Sequence, residues 1–331
     1  MKSIIVLGTW SSGSGAVHDY LSSRSDIISP FGPNEFKICA DPMGLHFLYN
    51  NCFKNGNYLL NPAYAFSEFK KYVNGFYQHK HYIKKGLENK IFDHHLLVFT
   101  ENFIKNVTFL KYYGLPHYAN CSLSKFQKIY YKIMVRIFKK KIKDLKLTSI
   151  ILTKNEKIFI SEAKKYIYYV LKYYSKSNIR NKTIVLNNAA DVTDPINSSQ
   201  YFENRKILIV TRDPRDIFSG MKTREANSAP WYNVDTFINW YKQSFGNKQF
   251  KQELNNKIIL KVKFENFVKN FDKENKRICK FLGIKEKYVF KDVPYKFNLK
   301  QSSKNIGKSK RFLSSKEITH KEKKLKPYLQ W

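Results

Sequence analysis

The chain has 331 residues, 43% of them apolar and 16% aromatic, and a formal charge of +34. That length buries a large core, and that composition excludes a disordered or low-complexity polymer. The charge leaves two readings open. One is a polyanionic partner such as nucleic acid, an acidic glycan or an anionic membrane; the other is a coding bias toward lysine, since the lysines run through the whole chain.

In chain order, Ile4 to Leu7 read as a short buried strand that Gly8 breaks. Thr9, Ser11, Ser12, Gly13, Ser14 and Gly15 then supply a turn of small residues. Beyond it Ala16, Val17, Tyr20 and Leu21 recur at helical spacing. Strand, small-residue turn and helix is the layout of a phosphate-binding loop, where backbone N–H groups at a helix N-terminus face an anion. Gly8 to Gly13 has the spacing that opens a Walker A loop, but Ser14 and Gly15 stand where its Lys-Ser/Thr pair belongs. His18 and Asp19, on the helix leaving the loop, read either as one residue facing the site or, as expected, as a solvated helix face.

Residues 1–9 hold no apolar run long enough for a signal peptide, and no run approaches the eighteen residues of a membrane span. Cys39, Cys52, Cys121 and Cys279 form no CxxC pair, so reduced thiols in a cytoplasmic protein are expected. Pro30, Gly32, Pro33, Pro42 and Gly44 make 27–45 a short strand and a long irregular loop. Helices are predicted over 63–80, 123–146 and 156–176. In the second of these, Phe126, Ile129, Tyr130, Ile133 and Ile137 form an apolar stripe opposite Lys125, Lys128, Lys132 and Arg136, and that stripe is expected to pack on a core. Residues 63–175 read as a helical insertion filling the middle third. The adjacent His94 and His95 suit joint metal ligation poorly, and no metal site is expected.

Strand character returns at 183–186, 206–212 and 258–264. Helices are predicted over 234–254 and 266–282, the latter stopping at Gly283. Strands alternating with helices imply a parallel sheet covered on both faces, so the fold class is α/β, P-loop-type, as one domain over 1–331. Arg212 ends a strand, at the carboxyl edge where open α/β sheets bind ligands, and its guanidinium suits a bidentate grip on phosphate. Ser219, two turns on, adds a hydroxyl. Asn187-Asn188-Ala189, also at a strand end, reads either as a substrate or adenine contact or as ordinary turn chemistry.

Taken together, GTWSSGSGAV near the N-terminus and RDPRDIFSG two hundred residues later resemble the two nucleotide-binding elements of sulfotransferases that use 3′-phosphoadenosine-5′-phosphosulfate (PAPS). KVKFENFVKNFDKENKRICKFLGI (261–284) resembles the strand–helix segment that follows in bacterial members, and SSKNIGKSKRFL (302–313) their C-terminal Gly/Lys loop. The resemblance implies that Ser11, Ser12, Gly13, Ser14 and Gly15 cradle the 5′-phosphosulfate. It implies that Arg212 and Ser219 hold the 3′-phosphate, with Lys304, Gly307, Lys308, Lys310 and Arg311 completing that cluster. Glu35 is implied as the base that takes the acceptor's proton, with Asp41 as second choice. Three positions depart from the family pattern. Ser11 stands where a Lys or Arg is usual, with Lys37 or the C-terminal lysines as replacements; Gly220 stands eight residues after the arginine, where the family has its serine; and Ser309 replaces an aromatic residue.

The function implied is transfer of a sulfuryl group from PAPS to a hydroxyl or amine of a saccharide or small molecule, as in polysaccharide modification, without metal. No specific nucleic acid is expected as partner, and peripheral membrane contact stays open. A P-loop kinase or nucleotide hydrolase is the first alternative, opposed by the missing Walker lysine. A basic nucleic-acid-binding protein is the second, and it leaves the placement of Gly13 and Arg212 unexplained.

Overall fold

The computed structural model describes residues 1–78, 81–84, 87–89, 92–115, 123–141, 148–226, 228–291 and 297–329. Two compact units make up the chain: residues 1–40 with 171–331, and residues 41–170. The described strands are β1 (Lys2–Leu7), β2 (Ile27–Ile28), β3 (His81–Lys84), β4 (Leu87–Asn89), β5 (Thr108–Gly114), β6 (Thr148–Thr153), β7 (Thr183–Asn187), β8 (Arg205–Thr211) and β9 (Ile259–Lys263).

The first unit is built on a five-stranded sheet of order β2-β7-β1-β8-β9, parallel at every pairing. Helices cover it, so its strands are near-continuous apolar runs: Ile4 to Leu7, Val185, Leu208 and Val262 are fully buried. One face packs Val17, Tyr20 and Leu21 of the helix Ser14–Ser22 against Phe264, Phe267 and Ile278. Register decides what surrounds the first loop. Leu7 pairs with Ile209 and Val6 with Asn187, so the chain leaves β1 between the ends of β8 and β7. Loop 8–15 is therefore flanked by Asn188 on one side and Arg212 on the other.

Two predicted helices are broken in the structure. Residues 234–254 form Val234–Phe245 and Lys248–Glu253, because Asn247 between them caps the second by accepting from the Phe250 N–H at 2.7 Å. Residues 266–282 form Phe264–Lys269 and Phe271–Leu282, hinged at Asn270; the second ends, as expected, on Gly283 in the left-handed region.

The C-terminal helix Ser315–Leu325 opens on a capping box of Ser314 and Glu317. It drives Lys321 into the protein, where the ammonium lies 3.8 Å from the centre of the Phe218 ring and donates to the Glu317 carbonyl. Burial lowers its pKa from 10.5 to about 8, against the pull of Glu317 and with the push of Lys222. The folded pKa lies below the unfolded one, so between pH 8 and 10.5 the unfolded chain holds more protons and stability rises with pH. Lys321→Met is expected to raise the melting temperature at neutral pH and to flatten that rise. Thermal melts across the window check it, and an undiminished slope in the variant removes Lys321 as the source.

The second unit carries the helices Leu45–Phe53, Leu60–Gln78, His95–Val107 and Lys125–Arg136 and most of Glu156–Tyr174. Its core is aromatic: Phe103 contacts Phe69, Phe159 and Tyr166 at ring-centre distances of 6.3, 5.5 and 5.2 Å. Two antiparallel pairs, β3 with β4 and β5 with β6, lie within a stretch expected to be helical. The β-branched and aromatic residues of TFLKYYG and TSIILT favour that pleated surface.

The apolar stripe of 123–146 departs from expectation. The helix spans Lys125–Arg136 and has no buried residue, so its stripe does not pack on a core; 142–146 lie outside the described residues. Helical spacing sorts apolar from charged side chains but does not say what will cover them. Among the described residues no helix is long and apolar enough to cross a membrane. Cys39, Cys52 and Cys279 are buried free thiols, and Cys121 lies outside the described residues.

Candidate functional site

The loop after β1 is held in a strained, open form. Ser11 adopts φ 61° and Gly13 φ 93°, and a Cβ on Gly13 would stand 2.2 Å from a carbon of the Phe264 ring. Glycine is required there on both counts. The helix Ser14–Ser22 that follows has no side-chain cap and no acidic residue in its first turn, so its positive end is left for an external anion.

Arg212 ties this loop to two other segments. It is almost fully buried; its guanidinium donates to the Ser11 carbonyl at 2.9 Å and to the Asn305 carbonyl, and lies 5.2 Å from the Phe264 ring centre. Asp216, 3.7 Å away, partly balances its charge, and burial lowers the Arg212 pKa. Asp216 also accepts from the backbone N–H groups of Gly307 and Ser309, both at 2.8 Å, which fixes the C-terminal loop beside the arginine. Gly307 takes φ 68° to make that turn.

Four buried polar atoms around this junction have no hydrogen-bond partner in the structure: Ser12 Oγ, Ser219 Oγ, Ser309 Oγ and Arg212 Nε. Leaving such groups unmet costs about 1–3 kcal/mol each, a cost that anionic ligand oxygens would remove. The Lys308 ammonium donates to Thr223 Oγ1 at 2.8 Å, and burial, together with Arg224, Arg212 and Arg311, depresses its pKa. Four cations therefore share one corner of the first unit. Lys304 and Lys310 are exposed, and the Lys304 carbonyl accepts from Arg311.

Glu35 stands on the other side of the loop. A bridge pairs it with Asn187, and Asn188, in the left-handed region at φ 46°, links it to the loop. Asn188 Oδ1 accepts from the Gly8 N–H at 3.0 Å, while Asn188 Nδ2 donates to Glu35 Oε1 at 2.5 Å. Lys37 pairs with Glu35 Oε2 at 3.0 Å. Asp41 belongs to the second unit, where its carboxylate accepts from the Tyr72 hydroxyl at 2.9 Å.

Three features escape a reading of the sequence. Arg224 carries no motif among sixty basic residues. Glu265 accepts from the Asp213 N–H at 2.9 Å and is buried, which raises its pKa; only its place just past β9 hinted at a role. His18 is buried rather than solvated. Its Nδ1 lies 3.5 Å from Asp19, and neither ring nitrogen has a hydrogen-bond partner in the structure. In the second unit Asp93, His94 and His95 bring ligand atoms within 4.8 Å of one another. There Asp93 accepts from the His95 N–H at 3.0 Å at the start of the helix His95–Val107, and the positive helix end opposes a cation.

A parallel sheet with an uncapped helix N-terminus after one strand and a buried arginine at the end of its neighbour is an α/β arrangement of the class that presents anion sites at its strand ends. Within that class, residues 162–287 match the model of the Sulfotransferase family, a stretch that contains β7, β8, the Arg212 turn and β9. The chain is similar to the sulfotransferase domain from the curacin biosynthetic pathway, 14% identical over 98% of this chain and 97% of that one, with a TM-score of 0.43. It is similar to the sulfotransferase from Alicyclobacillus acidocaldarius, 11% identical over 96% and 99%, with a TM-score of 0.38. It is also similar to the sulfotransferase domain of the Synechococcus PCC 7002 olefin synthase, 13% identical over 86% and 73%, TM-score 0.38. No curated protein matches the chain in sequence.

Proposed function

We propose that the protein is a PAPS-dependent sulfotransferase that moves a sulfuryl group to a hydroxyl or amine of a saccharide or small molecule. The observation that carries this reading is the Arg212 junction. One buried guanidinium joins the uncapped helix loop to the 302–313 loop and is ringed by unpartnered buried hydroxyls. An uncapped helix end beside a buried arginine supports a ligand with more than one anionic group.

In this reading the backbone N–H groups of Ser12 to Gly15 and the Ser12 and Ser14 hydroxyls bind the 5′-phosphosulfate. Arg212, Ser219, Lys308 and Arg311 bind the 3′-phosphate, and Arg224 joins them. Glu35 takes the acceptor's proton as the acceptor oxygen bonds to sulfur and the bond from sulfur to the phosphate oxygen breaks. Lys37 screens the carboxylate until then. Positioning and charge stabilisation supply most of the rate, as in phosphoryl transfer.

Calorimetry with 3′-phosphoadenosine-5′-phosphate (PAP) tests the reading. Binding is expected, unchanged by chelator and weakened when the 3′-phosphate is absent. Binding of ATP with Mg²⁺ in place of PAP would overturn it in favour of a kinase.

A further inference from the structure

The helix Lys125–Arg136 and the turn after it present an apolar face to solvent. Phe126, Ile137 and Phe138 are 85%, 69% and 62% exposed, and Ile129, Tyr130 and Ile133 continue the same side. Positions 126, 129, 130, 133 and 137 are linked by steps of three and four, so they form one stripe and not scattered surface residues, and Phe138 extends it. A single exposed apolar residue needs no explanation; a full stripe of Phe, Ile and Tyr implies an occupant.

Charge identifies that occupant. Residues 123–141 contain seven Lys or Arg and no Asp or Glu. A second copy of the chain would set one such cluster against another. Nucleic acid would meet the charge but leave Phe126 and Ile137 in water. An anionic bilayer meets both demands: acyl chains take the apolar stripe and headgroups the flanking lysines.

We propose that the segment 125–138 seats the protein on the surface of an anionic phospholipid membrane. The helix lies in the interface plane with its stripe below the headgroups. At twelve residues it does not span the bilayer. This proposal is independent of the reaction proposed above.

Co-sedimentation of the full chain with phosphatidylcholine vesicles, with and without about 30 mol% phosphatidylglycerol, tests it. Binding is expected to the anionic vesicles alone and to weaken as salt rises. Phe126→Ala/Ile137→Ala is expected to lose about tenfold or more in vesicle affinity while its thermal melt stays unchanged, since both side chains are exposed. Lys128→Glu/Lys132→Glu is expected to do the same by reversing charge. Equal binding to neutral vesicles, or vesicle binding that both variants retain, would overturn the proposal. So would a duplex DNA affinity or a dimer that the Phe126/Ile137 variant abolishes, because the stripe would then belong to that partner.

Discussion

Arg212→Ala is expected to weaken PAP binding by about 3 kcal/mol, on the order of 100-fold, because the buried guanidinium joins the two loops proposed to hold the ligand. It is also expected to lower the melting temperature, since the carbonyls of Ser11 and Asn305 lose their donor together. Arg212→Lys separates the two effects. A lysine keeps the charge but cannot reach both carbonyls, so affinity should recover partly and stability little. Calorimetry with PAP and a thermal melt on each variant decide the matter. Unchanged PAP affinity in the alanine variant would remove Arg212 from the site.

Glu35→Gln is expected to cut the transfer rate by about 100- to 10,000-fold, the range a positioned general base contributes. PAP affinity should stay the same, because glutamine still accepts from Asn188 and the Asn188–Gly8 bond is untouched. Radiolabelled PAPS, with a polysaccharide fraction of the source cells as acceptor, supplies the assay. A variant with more than half of the wild-type rate would show that Glu35 is not the base.

Much of the first unit was legible before any coordinates. Ile4 to Leu7, 183–186 and 206–212 announced themselves as strands because parallel strands buried on both faces are continuous apolar runs. The loop announced itself because Gly8, Thr9 and the run Ser11 to Gly15 set small residues between a strand and a helix. What stayed hidden depends on neighbours remote in sequence. Asn188 joins Gly8 to Glu35 only because Asn187 stands level with Val6 across two strands. Nothing in the sequence marks Asp216; its task of holding Gly307 and Ser309 appears only when the C-terminal segment folds back. The second unit was read less well. Its basic, aromatic composition suits amphipathic helices and edge strands equally, so β3 to β6 went unforeseen. The same composition gave no sign that the stripe on 125–138 would remain bare.

In sequence, Ser11 and Gly220 are two separate departures from the sulfotransferase pattern, one lacking a cation and one lacking a hydroxyl. In space they touch: a Cβ on Gly220 would lie 2.6 Å from Ser11 Oγ and 2.7 Å from Ser11 Cβ. With Ser11 in the left-handed region, its side chain is turned onto the helix Pro214–Lys222, and only a residue without a side chain leaves room for it. A serine at 220 would collide with the present loop, and a lysine at 11 would have to fit its stem through the same contact. The two positions are thus one steric unit: the Ser11 side chain occupies the space that any side chain at 220 would need.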